Sequence, residues 1–172
     1  MAMKATLVSV DEYLHSSYEP DCDYVDGELV ERNVGERDHS EVQGAILVHY
    51  HNRRREWAVY PYVGQRVKIS ATRYRVPDVC LMAGRPTEQI FTSPPLAIFE
   101  VLSPEDRKSR TKSRIDDYLS IGVRHIWVIH PKTRQVEAHT PQGIRVIEDG
   151  VMRTANPDTE LPLFEIFEEI EA

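Results

Sequence analysis

Two carboxylates stand inside apolar runs of this chain. Asp78 lies in VPDVCLM and Glu100 in LAIFEVL. Runs apolar almost throughout read as central strands covered on both faces. A carboxylate placed there is costly unless it is paired or bound to a cation. If the two strands are neighbours, the carboxylates meet, and each raises the pKa of the other unless a cation sits between them. Hard oxygen ligands sharing one point suit Mg2+ or Mn2+. That chemistry supplies a nucleophile at neutral pH and stabilises charge on a phosphoryl group. The alternative is structural: each acid caps a strand end or pairs with an arginine such as Arg75 or Arg107.

The elements that must position these acids are legible in outline. Ser9 and Glu12 form a capping box, predicting a helix over 10–17 that Pro20 ends. Asp26-Gly27 between two short strand-like runs predicts a type I′ hairpin. Asp38 and Glu41 repeat the capping-box spacing ahead of Val42, Ala45 and Ile46, predicting an amphipathic helix over 39–55. WAVYPYV, QRVKI, VPDVCLM and PLAIFEVL read as strands. Ser103-Pro104 reads as an N-cap with proline at the first helical position, so a basic helix is expected over 104–121, stopping at Gly122. VRHIWVI, QVEAHT and GIRVIE are further strands, and LPLFEIFEEI is a short C-terminal helix. The expected class is mixed α/β with a central sheet flanked by helices and an N-terminal β-hairpin.

Composition narrows the function classes. The chain has 172 residues, 41% hydrophobic and 28% charged, which suits one globular domain over 1–172. No apolar run reaches the roughly 20 residues of a membrane span. MAMKATLVSVDEYL does not read as a secretory signal, so Cys22 and Cys80 are expected to be reduced thiols in a cytoplasmic protein. The net charge is −7, but residues 53–114 hold 13 basic and 6 acidic side chains, a local balance of +7 between segments at −8 and −6. A basic middle third can bind a polyanion whatever the total charge. P-loop, GxGxxG and GxSxG motifs are absent.

Several pieces taken together resemble a known family. DYVDGELVE, His39 at the head of the second helix, PDVCLM, PPLAIFEVLSPEDR, RIDDYLSIGVRHIWVI and the closing LPLF span roughly residues 8–167. In order and spacing they resemble the Uma-type endonucleases of the PD-(D/E)xK restriction-endonuclease-like superfamily. The resemblance implies a mixed sheet flanked by helices. It also implies Asp78 as the Asp of the PD element, Glu100 as the acid of the second half-motif, and Mg2+ or Mn2+ held between them for phosphodiester hydrolysis.

One departure bears on the chemistry. The lysine of the half-motif would stand two places after the acid, where this chain has Leu102. The Uma-type family commonly carries its lysine on the next helix, four residues before the Tyr that precedes Gly-Val; the matching position is Arg114. Arginine is always protonated and is no general base, but it can clamp a phosphate and stabilise transition-state charge. Lys112, two residues away, lies about 200° around a helix and stays a second candidate. Both could equally be solvated charges beside Arg107, Lys108 and Arg110, which are expected to hold nucleic-acid backbone. Glu41 is a possible accessory acid or simply a cap, and His39 a possible phosphate contact or an exposed first-turn histidine. The reading is a metal-dependent endonuclease acting on nucleic acid, DNA first, with a homodimer expected by analogy. The rival is a nuclease-fold domain with impaired catalysis, serving as a nucleic-acid-binding or protein-interaction module.

Overall fold

The computed structural model describes residues 6–33 and 35–170. The chain runs through α1 (Val10–Leu14), β1 (Cys22–Val25), β2 (Glu28–Glu31), α2 (Arg37–Trp57), β3 (Val59–Tyr62), β4 (Val67–Ser70), β5 (Arg73–Arg75), β6 (Val79–Ala83) and β7 (Ala97–Val101). It continues through α3 (Lys108–Ser120), β8 (His125–His130), β9 (Gln135–Thr140), β10 (Gly143–Val146), β11 (Val151–Thr154), β12 (Thr159–Pro162) and α4 (Leu163–Phe167).

A six-stranded sheet ordered β10-β9-β8-β7-β6-β3 forms the centre. Its pairs are antiparallel except β7 and β8, which are parallel and joined by α3. The sheet is therefore mixed, as expected. Strands β6 and β7 are buried along almost their whole length, because both faces are covered. On one face Val79, Leu81, Phe99 and Val101 pack against Val42, Ile46 and Tyr50 of α2, which recur at the spacing of one helical face. On the other face Cys80, Ile98, Ile126 and Val128 pack against Ile115 and Tyr118 of α3.

A second sheet, ordered β2-β1-β5-β4, carries the hairpin. Asp26 and Gly27 both have positive φ, 50° and 95°, as a type I′ turn requires. This sheet packs on α1 through Tyr13, Tyr24 and Tyr74, with the Tyr13 and Tyr24 rings stacked at 4.9 Å. It is tied to α3 by buried ions. Arg75 donates to Asp117 Oδ2 at 2.7 Å, to Asp23 Oδ2 at 3.1 Å and to Ser113 Oγ at 3.1 Å. Asp23 Oδ1 also accepts the Val76 N–H at 2.8 Å. Breaking a buried pair strands the other charge. Arg75→Met is therefore expected to lower unfolding free energy by about 3–5 kcal/mol, read as a shift in urea midpoint at constant m-value. A loss below about 1 kcal/mol, the scale of a solvated surface pair, would refute that role.

Three local expectations are corrected. Helix α2 starts at Arg37 with Glu36 at the N-cap, so Asp38 and Glu41 lie inside it and form no capping box; the Asp38 carboxylate instead accepts from Arg37. Helix α3 starts at Lys108 rather than 104. Asp106 Oδ2 does accept the Ser103 N–H at 2.7 Å, one half of a capping box. Its own N–H donates back to Ser103 O at 3.0 Å, closing a separate turn before the helix. Helix α1 ends at Leu14, short of residue 17; its cap is as predicted, with Ser9 Oγ accepting the Glu12 N–H.

Both cysteines are free and buried. Burial pushes the Cys80 thiol up to about 12 and raises the phenols of Tyr13 and Tyr50. An unfolded thiol ionises near about 8.5 and a phenol near about 10. Above those values the unfolded chain holds fewer protons than the folded one, so stability falls as pH rises. By about pH 10 Cys80 alone is expected to cost on the order of 2 kcal/mol, and Cys80→Ala should flatten the alkaline limb of the denaturation profile.

Candidate active site

The sheet register brings Asp78 and Glu100 together. Strands β6 and β7 pair antiparallel with Val79 opposite Phe99 and Cys80 opposite Ile98. Continuing that register by one residue sets Asp78, at the mouth of β6, opposite Glu100. Directly opposed residues share a face, and here it is the face of Cys80 and Ile98, under α3. Thr111, Arg114, Ile115, Asp117 and Tyr118 are the buried residues of α3. Two of them reach Glu100: Tyr118 Oη donates to Oε1 at 2.7 Å and Arg114 Nη2 to Oε2 at 3.4 Å.

A cation does lie between the two acids, and it belongs to the chain. Arg32 Nη2 donates to Asp78 Oδ1 at 3.1 Å and to Glu100 Oε2 at 2.9 Å. Neither Arg75 nor Arg107 fills this place. Arg32 follows β2, and its backbone N–H donates to Asp21 O at 2.8 Å, so the hairpin delivers it. Asp78 is further held by the Val101 N–H, 2.8 Å from Oδ2, and by His39 Nε2, 3.3 Å from Oδ1. From α2, Gln43 donates to the Asp78 carbonyl at 2.8 Å.

The two acids titrate in opposite directions. Burial works against the Asp78 carboxylate, but His39, Arg32 and the Val101 N–H outweigh it and hold its pKa at about 2. Glu100 is 0% exposed, and burial raises its pKa even though Arg114 and Arg32 oppose the rise. Burial also disfavours the His39 imidazolium, yet contact with Asp78 raises its pKa overall.

The other expected residues separate clearly. Arg114 is buried in the centre, whereas the Lys112 side chain is 75% exposed and bonds Asp116 one turn along at 2.6 Å. The rotation between them puts Lys112 on the outer face of α3. Leu102 packs with the apolar layer under α3. His39 is buried in the site rather than exposed. Glu41 is exposed and lines a groove between α2 and α4. Arg107 and Lys108 are exposed at the start of α3. Arg110 lines a cavity of about 210 Å³ with Arg32, Ser113 and Arg114. A second cavity of about 330 Å³ reaches Asp78 from the other side, past His39 and Gln43. Sequence reasoning misses Arg32, Gln43 and Tyr118. Only Tyr118 leaves a signal: an aromatic four residues after the Arg114 position, one turn along the same face.

The residues match a family model over positions 10–171, that of Uma2, described as "Putative restriction endonuclease". The chain belongs to the Uma2 family. No curated protein matches it. Among solved structures it is similar to the crystal structure of a putative nuclease belonging to DUF820 from Anabaena variabilis. That likeness has a TM-score of 0.78 at 19% identity, covering 94% of this chain and 98% of the other. At that identity it shows a shared fold, a mixed sheet flanked by helices. Among the described residues no helix is long and apolar enough to cross a membrane.

Proposed function

We propose that this Uma2-family protein is a divalent-metal-dependent endonuclease, acting as a single domain, that hydrolyses phosphodiester bonds of nucleic acid, with DNA the first substrate to test. The observation that carries the reading is the convergence of Asp78 and Glu100 on one cationic point at the β6–β7 mouth. No group of three or more His, Cys, Asp or Glu side chains gathers as a metal cage among the described residues. A two-carboxylate donor set nevertheless fits Mg2+ or Mn2+, since Mg2+ is commonly held by one or two carboxylates. When bound, such an ion supplies charge stabilisation on phosphoryl oxygens and activation of the attacking water.

The chain's own groups do the rest. The Val101 N–H and the Tyr118 hydroxyl fix the two carboxylates in orientation. Arg114 is a permanent cation and clamps the scissile phosphate. Arg107, Lys108 and Arg110 hold flanking phosphates by charge alone, so binding is salt-dependent and carries no base specificity. Two copies acting together would cut both strands of a duplex, and a homodimer in the cytoplasm belongs to this proposal.

The test is nicking of supercoiled plasmid in Mg2+ and Mn2+, with single-stranded RNA run in parallel. Cleavage that EDTA abolishes supports the reading. One observation favours the rival, a nucleic-acid-binding domain without catalysis: Arg32 and Arg114 already neutralise both carboxylates. Nucleic-acid binding with no cleavage of any substrate in either metal would select that rival.

A further inference from the structure

The two oxygens that face the centre of the site are already engaged. Asp78 Oδ1 meets Arg32 at 3.1 Å and His39 at 3.3 Å. Glu100 Oε2 meets Arg32 at 2.9 Å and Arg114 at 3.4 Å. Each oxygen has two lone pairs, and each faces two donors. Asp78 Oδ2 and Glu100 Oε1 are bonded to Val101 and Tyr118. A metal ion that bridges Asp78 Oδ1 and Glu100 Oε2 must therefore displace a donor, and the one donor common to both oxygens is Arg32.

Charge leads to the same residue. Two carboxylates, buried Glu100 and half-buried Asp78, balance two guanidiniums, buried Arg114 and half-buried Arg32. A divalent ion added to that set leaves a surplus of positive charge in a largely desolvated site, where uncompensated charge is unfavourable. Removing Arg32 from the pair relieves both conflicts. The side chain also has somewhere to go. Arg32 lines both cavities, about 330 Å³ on the His39 side and about 210 Å³ on the Arg110 side. Its backbone can stay in place, held at Asp21.

We infer that Arg32 is an internal counterion that competes with the divalent cation for Asp78 and Glu100, so that metal enters only as the Arg32 side chain swings out of the pair. This rests on the carboxylate pair being the metal site of the proposed nuclease. The consequence is a protein that binds metal weakly while Arg32 is seated.

The test is Mn2+ binding by titration calorimetry on the full chain, without nucleic acid, so it does not depend on cleavage. Arg32→Met keeps length and removes charge. It is expected to bind Mn2+ about tenfold tighter than wild type or more, and the double variant Arg32→Met/Asp78→Asn is expected to lose that gain. Equal or weaker binding by Arg32→Met, with wild-type binding that Asp78→Asn abolishes, overturns the competition and leaves the metal site standing. No Mn2+ binding by either protein overturns both. Arg32→Met also leaves two anions face to face. If it unfolds in EDTA, recovery of the native melting transition on adding Mn2+ supports the inference, and failure to recover overturns it.

Discussion

Asp78→Asn is expected to reduce phosphodiester cleavage by about 10³-fold or more. Asparagine is nearly isosteric, so the prediction separates chemistry from folding. Asp78 uses Oδ2 for the Val101 N–H and Oδ1 for Arg32 and His39. Asparagine keeps one acceptor oxygen and turns an amide donor toward groups that are themselves donors. The fold is expected to lose about 1–3 kcal/mol for the unsatisfied group, a modest fall in melting temperature. A 10³-fold loss of rate corresponds to about 4 kcal/mol of transition-state stabilisation. If the variant still melts well above the assay temperature, unfolding cannot account for it. Glu100→Gln should behave alike, since Glu100 is the more deeply buried partner. Cleavage within about threefold of wild type in both variants would remove these residues from the active site.

Arg114→Ala is expected to lower kcat by about 10²–10³-fold, the scale of losing one preorganised charge donor at a developing anion, while Lys112→Ala stays within about twofold of wild type. The contrast follows from α3. Arg114 is buried against Glu100, and Lys112 faces solvent with Asp116. Arg114→Lys distinguishes two meanings of the basic group. A lysine restores a cation but not the planar fork. Partial recovery of kcat in Arg114→Lys shows that positive charge is what the reaction needs; none shows that bidentate contact with phosphate is. A Lys112→Ala loss equal to that of Arg114→Ala would reverse the assignment.

The centre of the site is legible in the sequence because burial leaves a local mark. An acid inside an apolar run is conspicuous whichever fold surrounds it, and Asp78 and Glu100 meet that condition. The hairpin is legible because positive φ at two successive positions selects Asp-Gly. The end of α3 is legible because Gly122, with φ 89°, can leave the helix as other residues cannot. Each of these signals depends on near neighbours in the chain.

The start of α3 is not legible, although Ser103-Pro104 resembles a helix start. Asp106 takes the Ser103 N–H, one half of a capping box, but the turn it closes is not continued, and the helix begins only after Arg107. The choice between Lys112 and Arg114 is likewise open in the sequence, because a pattern of residues gives the phase of a helix relative to itself and not to the sheet beneath it. Arg32 carries no signal at all. It lies 46 residues from Asp78 and 68 from Glu100, on a hairpin whose own pattern is complete without it. Sequence alone determined which groups are too costly to bury unpaired. Only the tertiary structure decided which partner each one meets, because that partner arrives by closure of the whole chain and not by local propensity.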